Sequence, residues 1–249
     1  MSKYAAFGVT LAAGIAQVET ATIVGTITGS GDAHIKVTAV GMTGTGNVID
    51  VAVTDLDLPS TVARKIAAKL TLTAGVLAFF EITAVGDDVI LRARTAAADD
   101  ATMNLAYTND SCTGLTPDAT STHTLAGVAP VTIAGVKSIG GPGLSVDTED
   151  VTTHDSVAAF EEVVATIIRS GQVTLEIVYD PGGATHLYAA GGVLYRLATK
   201  QYSWFNLTFR STYNWRFSGF VTGFEPSEPA AGAITATVNM KITGQPILE

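Results

Sequence analysis

Reactive chemistry in this 249-residue chain would have to draw on four histidines, one cysteine and a few acidic pairs. His34, His123, His154 and His186 stand at no spacing that would set two of them on one helix face, so no metal-ligand motif arises. Thr153-His154-Asp155-Ser156 contains the letters of a catalytic triad. Triad members, however, converge from separate segments of a fold rather than from neighbouring positions. A helix-capping turn accounts better for Asp155 and Ser156. Asp87-Asp88 and Asp99-Asp100 read as loop acids, because the spacing of a calcium loop is missing around them. Each Gly-x-Gly pair, at 29/31, 44/46 and 141/143, lacks the third glycine of a dinucleotide fingerprint. No Gly-Lys-Ser/Thr, Gly-x-Ser-x-Gly or His-Glu-x-x-His occurs. Cys112, being alone, excludes an intrachain disulfide or a cysteine metal cluster and reads as a small buried filler. These residues point to no enzyme and to no cofactor.

The charge balance narrows the classes further. Acidic residues number 23 against 14 basic, a net charge of −9, and no basic stripe is present. A specific nucleic-acid binder concentrates Lys and Arg against phosphates. An acidic chain is still suited to a surface that DNA must slide past. Hydrophobic residues make up 47% and charged residues 15%, against about 25% charged in ordinary soluble domains; Thr, Ser, Asn and Gly must therefore cover much of the surface. Disorder and a coiled coil are both excluded by that composition. No stretch reaches the ~18–20 apolar residues of a membrane-spanning helix. Residues 1–18 are read as an extended arm, since Gly8, Thr10 and Gly14 interrupt the run a signal peptide would need. Synthesis in the cytoplasm is the expectation.

The elements that would hold any site fall into two groups. Between 19 and 127, strands are expected over Ala21–Ile27, Ala33–Val40, Val48–Thr54, Ala78–Val85, Asp88–Arg94 and Thr102–Tyr107, the fourth and fifth forming a hairpin across Gly86-Asp87. One helix follows Asp57, a plausible N-cap, with Pro59 in its first turn and Val62, Ile66 and Leu70 on one stripe. This is a small α+β domain inserted between the arm and residues 128–249.

From Val131 the pattern changes. Val131–Val136 and Leu144–Thr148 flank a turn at Gly140-Gly141-Pro142-Gly143. Two short helices are expected. One is capped at Asp155 or Ser156 and carries Val157, Phe160, Val163, Val164 and Ile167; the other opens at Asp180-Pro181 and carries Leu187, Leu194 and Tyr195. Gln172–Tyr179, Ser203–Arg210, Tyr213–Phe224 and Ala233–Thr243 alternate apolar and polar residues at period 2, so one face packs and the other meets water. Gly219 reads as a bulge. The strands from Gln172 and from Ser203 are expected to leave edges unpaired. The fold class is mainly β with an α+β insertion.

Two stretches carry a family resemblance. The first runs from Val131 through Ser138-Ile-Gly-Gly-Pro-Gly-Leu-Ser-Val-Asp-Thr-Glu-Asp-Val-Thr-Thr-His-Asp-Ser156 and on to Glu161, Ile168-Arg-Ser-Gly171 and Val173-Thr-Leu-Glu-Ile-Val-Tyr-Asp-Pro181. The second is Met1-Ser-Lys-Tyr-Ala-Ala-Phe-Gly-Val-Thr-Leu11. Together they resemble the tail tube protein, or major tail protein, of long-tailed, lambda-like bacteriophages, over about residues 1–18 and 129–249. The segment between departs from the plainest members. Asp99-Asp-Ala-Thr-Met-Asn-Leu-Ala106 and Cys112-Thr-Gly-Leu-Thr116 look like an extra module met in some phage tail proteins.

The resemblance implies a β-sandwich or barrel-like tail-tube core, six-subunit rings stacked into a virion tube, and passage of genomic DNA without sequence-specific binding. It implies a tape measure protein and a tail terminator as partners. Tyr4, Phe7, Gly140, Gly143, Asp147, Glu149, Asp150 and His154 are then candidates for contacts between subunits or rings. Thr174, Glu176, Thr235, Thr237 and Asn239 are candidates for the channel lining, where small polar and acidic groups would not hold phosphates. Arg210, Arg216 and Lys241 share those polar faces and should pair with acids or with a neighbouring subunit. A competing reading is a virion or cell-surface module that binds a glycan or receptor through Tyr202, Trp204, Tyr213 and Trp215.

Overall fold

A computed structural model describes residues 9–42, 47–153, 160–209, 213–227 and 232–248. Among them sixteen strands and three helices occur, so the chain is mainly β. It divides into two compact units, one of Met1–Ala13 with Pro130–Glu249 and one of Gly14–Ala129. The divide falls inside two strands, β1 (Thr10–Ile15) and β9 (Val128–Thr132).

The unit Gly14–Ala129 holds β2 (Val18–Thr22), β3 (Gly31–Thr38), β4 (Asn47–Val53), α1 (Pro59–Thr71) and α2 (Ala74–Leu77). It continues through β5 (Phe80–Val85), β6 (Asp88–Ala93), β7 (Asn104–Asn109) and β8 (Thr122–Leu125). Two antiparallel sheets form, ordered β5-β6-β2-β8 and β4-β3-β7. The expected hairpin closes with Val85 opposite Asp88. Ile35 and Val37 of β3, Leu91 of β6, Leu105 and Tyr107 of β7, and Val62, Ile66 and Leu70 of α1 meet in one core. The α1 stripe therefore packs as its spacing predicts. Its N-cap is Leu58 rather than Asp57 and makes no side-chain cap. The Asp57 carboxylate instead accepts from the Thr54 N–H and the Lys65 ammonium. Cys112 is buried, as a filler should be. Tyr107, also buried, donates its hydroxyl to the Thr22 carbonyl at 2.8 Å and accepts from the Val24 N–H at 3.1 Å, linking the two sheets. Gly114, at φ +110°, lies where a Cβ would stand 2.2 Å from the Thr26 carbonyl, so only glycine lets these segments cross.

The other unit is built on a seven-stranded sheet that curls into a half-barrel, ordered β10-β13-β16-β15-β14-β1-β9. Its strands are β10 (Val136–Gly140), β13 (Gln172–Val178), β14 (Ser203–Phe209), β15 (Tyr213–Ser227) and β16 (Thr235–Leu248), with β1 and β9. Residues 10–15, placed in the arm by sequence, form β1, and Leu11 and Ala13 lie in the core with Val173, Leu175, Phe205, Phe217 and Val238. β13, β14, β15 and β16 are all interior to this order. The unpaired edges expected of them are absent among the described residues, and the edges are β10 and β9. Gly219 is not a bulge: the register shifts fall between Arg216 and Ser218 and between Val221 and Gly223. A Cβ at Gly219 would instead sit 2.2 Å from the Lys241 carbonyl, so glycine is required by a close backbone approach.

Two helix expectations are corrected here. The one through Phe160 and Ile167 is replaced by strand β12 (Val163–Ser170), paired antiparallel with β11 (Leu144–Asp150); its proposed caps, Asp155 and Ser156, lie outside the described residues. Val163-Val-Ala-Thr-Ile-Ile168 is a largely β-branched run, stiff at χ1 and better packed on a pleated surface than in a helix. The second helix shrinks to α3 (Val193–Ala198), with turns over much of 181–192. Gly182, Gly183, Gly191 and Gly192 make that stretch a poor helix. Among the described residues this unit therefore has one helix, not two. His186 is fully buried in the turns. Its Nδ1 accepts from the Asp180 N–H at 3.1 Å and its Nε2 donates to the Ala134 carbonyl at 2.9 Å.

Candidate assembly surface

The period-2 pattern of β13 and β16 sends Val173, Leu175, Ile177, Ala236, Val238 and Met240 into the core. Their polar neighbours must then share the opposite face. The register aligns Thr174 with Asn239, Glu176 with Thr237 and Val178 with Thr235, which gathers all five channel candidates into one patch. The Thr174 hydroxyl donates to Asn239 Oδ1 at 3.2 Å. Glu176 is joined by Lys137 Nζ at 2.6 Å and by the Ser138 hydroxyl at 3.5 Å, both from edge strand β10. The hydrogen bond and charge of Lys137 hold the Glu176 carboxyl below its ordinary value. The patch is therefore polar but locally neutralised, with its single acid already partnered. Lys241, on the same face opposite Gln172, is exposed and makes no ion pair among the described residues. Arg216 stands opposite Asn206; Arg210 lies outside the described residues.

The second group of candidates falls on a different element. Gly140 closes β10, and Gly143 sits in the turn that leads to β11, where its carbonyl accepts from Gly171 N at 2.7 Å. Asp147, Glu149 and Asp150 follow along β11. A hydrogen bond from Arg169 lowers the Asp147 carboxyl, and the Thr152 hydroxyl and N–H lower that of Asp150. Tyr4, Phe7 and His154 lie outside the described residues.

Nearly every residue of β11 and β12 is exposed, including apolar ones. Leu144, Val146, Val163, Val164, Ile167 and Ile168 are between 43% and 70% exposed, and Phe160, just before β12, reaches 73%. Val146 pairs with Ile168 and Glu149 with Val164, so apolar side chains occupy both faces of the ribbon. A two-stranded hairpin is marginal alone in water, and a concentration of exposed apolar side chains on one makes it a candidate interaction surface. Sequence reading missed it by assigning these residues to the buried face of a helix. The β-branched run was the signal that could have found it.

Reactive constellations remain sparse. Among the described residues no cluster of three or more His, Cys, Asp and Glu could hold a metal ion. One polar network lies in the Gly14–Ala129 unit. Buried Glu19 contacts His123 Nδ1 at 2.8 Å and accepts from the Ser121 hydroxyl at 2.9 Å, while His123 Nε2 faces Asp99 at 3.3 Å. Ser121 bonds to the carboxylate and not to the imidazole, so no serine–histidine relay is formed. The four aromatics of the glycan reading do not form one platform. Trp204, opposite Ser218, is buried at 6% exposure, and Trp215, opposite Leu207, packs toward the core.

No family model matches the chain, and no curated protein matches it. Three solved structures illustrate what it is similar to. A chain of the native gene transfer agent virion is 14% identical, covering 48% of this chain and 88% of that one, with a TM-score of 0.41. A chain from the tail of an empty gene transfer agent particle, refined with C6 symmetry, is 14% identical over 48% and 86%, with a TM-score of 0.40. A chain of the six-fold symmetrised anti-feeding prophage baseplate is 11% identical over 49% and 84%, with a TM-score of 0.37. Likeness at this level carries no argument about this chain.

Proposed function

We propose that this chain is a structural virion protein that self-assembles into stacked hexameric rings, the tail tube through which a phage genome is delivered. The observation that carries the reading is the β11–β12 hairpin, whose apolar side chains stay between 43% and 70% exposed among the described residues. The sequence resemblance supplies the ring-and-tube form of the assembly. Gly140, Gly143, Asp147, Glu149 and Asp150 then belong to subunit contacts, along with Tyr4, Phe7 and His154.

In this reading Thr174, Glu176, Thr235, Thr237 and Asn239 face the channel. Small hydroxyl and amide groups offer phosphates few charged anchors, Lys137 is held by Glu176 rather than free for DNA, and Lys241 on the same face is left to be met by acids of a neighbouring subunit. Residues 19–127 form an accessory domain outside the conduit, since a channel wide enough for one duplex leaves no room for a body of that size. A tape measure protein and a tail terminator are the further partners, and the phage tail is the place of action.

Electron microscopy of the purified chain tests the reading. Rings or tubes with a central pore, growing with concentration, are expected. A protein that stays monomeric at high concentration overturns it.

A further inference from the structure

A concavity of about 430 Å³ lies where the base of the hairpin meets the end of β16, lined by Leu144, Ile168, Gly244, Pro246 and Leu248. Leu144, Ile168 and Leu248 are 43%, 70% and 51% exposed, so this apolar lining is open. A void of ~150 Å³ is enough to take a benzene ring. At the other end of the same hairpin stands Phe160, the most exposed aromatic among the described residues. The ladder continues toward it through Val151 N–H to the Glu162 carbonyl at 2.9 Å.

Phe160 cannot fill its own chain's concavity. At ~3.3 Å per residue, the stretch from Phe160 to Ile168 spans about 25 Å along the ribbon, far beyond the reach of one side chain. The two ends also differ in charge. Glu149, Asp150, Glu161 and Glu162 surround the tip. Beside the base stands Lys241, opposite Gln172 and without an ion pair among the described residues.

We propose that the hairpin engages a second copy of this chain head to tail, with Phe160 seated in the concavity of the neighbour and the acidic tip set against the neighbour's Lys241. Tip and base are different patches, so the contact is heterologous and every copy keeps one free donor and one free acceptor until a ring closes. The inference rests on the self-assembly reading and gives that assembly its direction.

Full-length Phe160→Cys and Pro246→Cys proteins, mixed and mildly oxidised, test it; Gln245→Cys serves as a second acceptor should Pro246→Cys fold poorly. Cys112 is buried and does not compete. A disulfide between positions 160 and 246, or 160 and 245, outnumbering 160–160 pairs, is the expected result on peptide mapping. Phe160→Glu should raise the concentration needed for assembly about tenfold or more, the scale set by exposing one large apolar side chain, while Phe160→Leu should change it little. Rings or tubes whose crosslinks are mainly 160–160, or that tolerate Phe160→Glu, overturn the head-to-tail contact and leave the self-assembly reading standing. A wild-type chain that never assembles overturns both.

Discussion

Helix α1 and strand β12 carry similar apolar inventories and dispose of them in opposite ways. Val62, Ile66 and Leu70 of α1 are fully buried against both sheets of their unit. Val163, Val164, Ile167 and Ile168 of β12 are each more than half exposed. Burial of a Val, Leu or Ile side chain is worth roughly 1.5–3 kcal/mol, so α1 has already drawn on that free energy to fold. β12 has not, and its share remains available for association. The difference teaches where each unit gets its stability: α1 is buried within a single chain, whereas β12 leaves apolar surface in water that the proposed assembly would cover.

The sharpest way to break this contrast is to truncate one residue on each side. Ile66→Ala should lower unfolding free energy by about 2–5 kcal/mol, because the close-packed site cannot fully collapse around the cavity. Ile168→Ala, at a residue 70% exposed, should stay within about 0.5 kcal/mol of wild type for the dilute monomer. The same Ile168→Ala should weaken assembly in sedimentation at high concentration. Equal losses of monomer stability from the two substitutions would mean the hairpin is buried in the free chain after all.

The pair also marks how far the sequence was legible. Both segments place apolar residues at i, i+3 or i+4 spacing, and both read as amphipathic helices. Only α1 had the reinforcing chemistry: Pro59 at its start, Ala and Lys between the apolar positions, and no β-branched run. β12 satisfies the helical spacing by accident, since consecutive Val and Ile residues fit several periods at once. The polar patch of Thr174, Glu176, Thr237 and Asn239 was readable because strict alternation fixes a face. Strand order was not readable, because pairing depends on contacts distant in sequence. Thus β1, taken for an arm, closes between β14 and β9.

A smaller effect asks whether the unit bearing β12 nevertheless has a committed interior. Arg196 of α3 is 1% exposed. It donates to the Ser203 hydroxyl at 2.6 Å, to the Gly191 carbonyl at 3.3 Å and, weakly, to the Ala13 carbonyl of β1 at 3.4 Å. Burial draws its pKa down from the ordinary arginine value, because a low-dielectric surrounding disfavours the charged form. Arg196→Met keeps most of the volume and should cost about 1–2 kcal/mol, the net worth of the lost hydrogen bonds. Arg196→Ala should cost more, because a cavity is added. Denaturant unfolding distinguishes them; indistinguishable losses would place the role of Arg196 in its charge alone, with none in its packing.

The smallest contrast lies in two ion pairs, Asp57–Lys65 beside α1 and Asp147–Arg169 across the hairpin. Burial pushes the Asp57 carboxyl up, but the Lys65 ammonium and the Thr54 N–H outweigh it and leave the pKa lowered. The Asp147 carboxyl is lowered chiefly by its hydrogen bond from Arg169, and its side chain is 37% exposed. A carboxyl whose folded pKa lies below its unfolded value, about 3.9, contributes stability at pH above that value. The contribution is lost as pH falls through the folded pKa, so both pairs act in full above about pH 4 and their loss shows only below it. Salt separates them. The exposed hairpin pair is screened within a Debye length of ~10 Å at 0.1 M and less at higher salt. Asp57, with a side chain only 13% exposed, is screened less. Amide exchange followed from pH 5 to pH 2.5 should therefore show acid loosening of the hairpin at low salt that fades in 0.5 M NaCl (about 4 Å screening). Loosening around the start of α1 should persist in salt and disappear in Asp57→Asn. Equal salt sensitivity at the two sites would mean that Asp57 is as open to water as the hairpin, and the contrast between the two regions would fail at its finest grain.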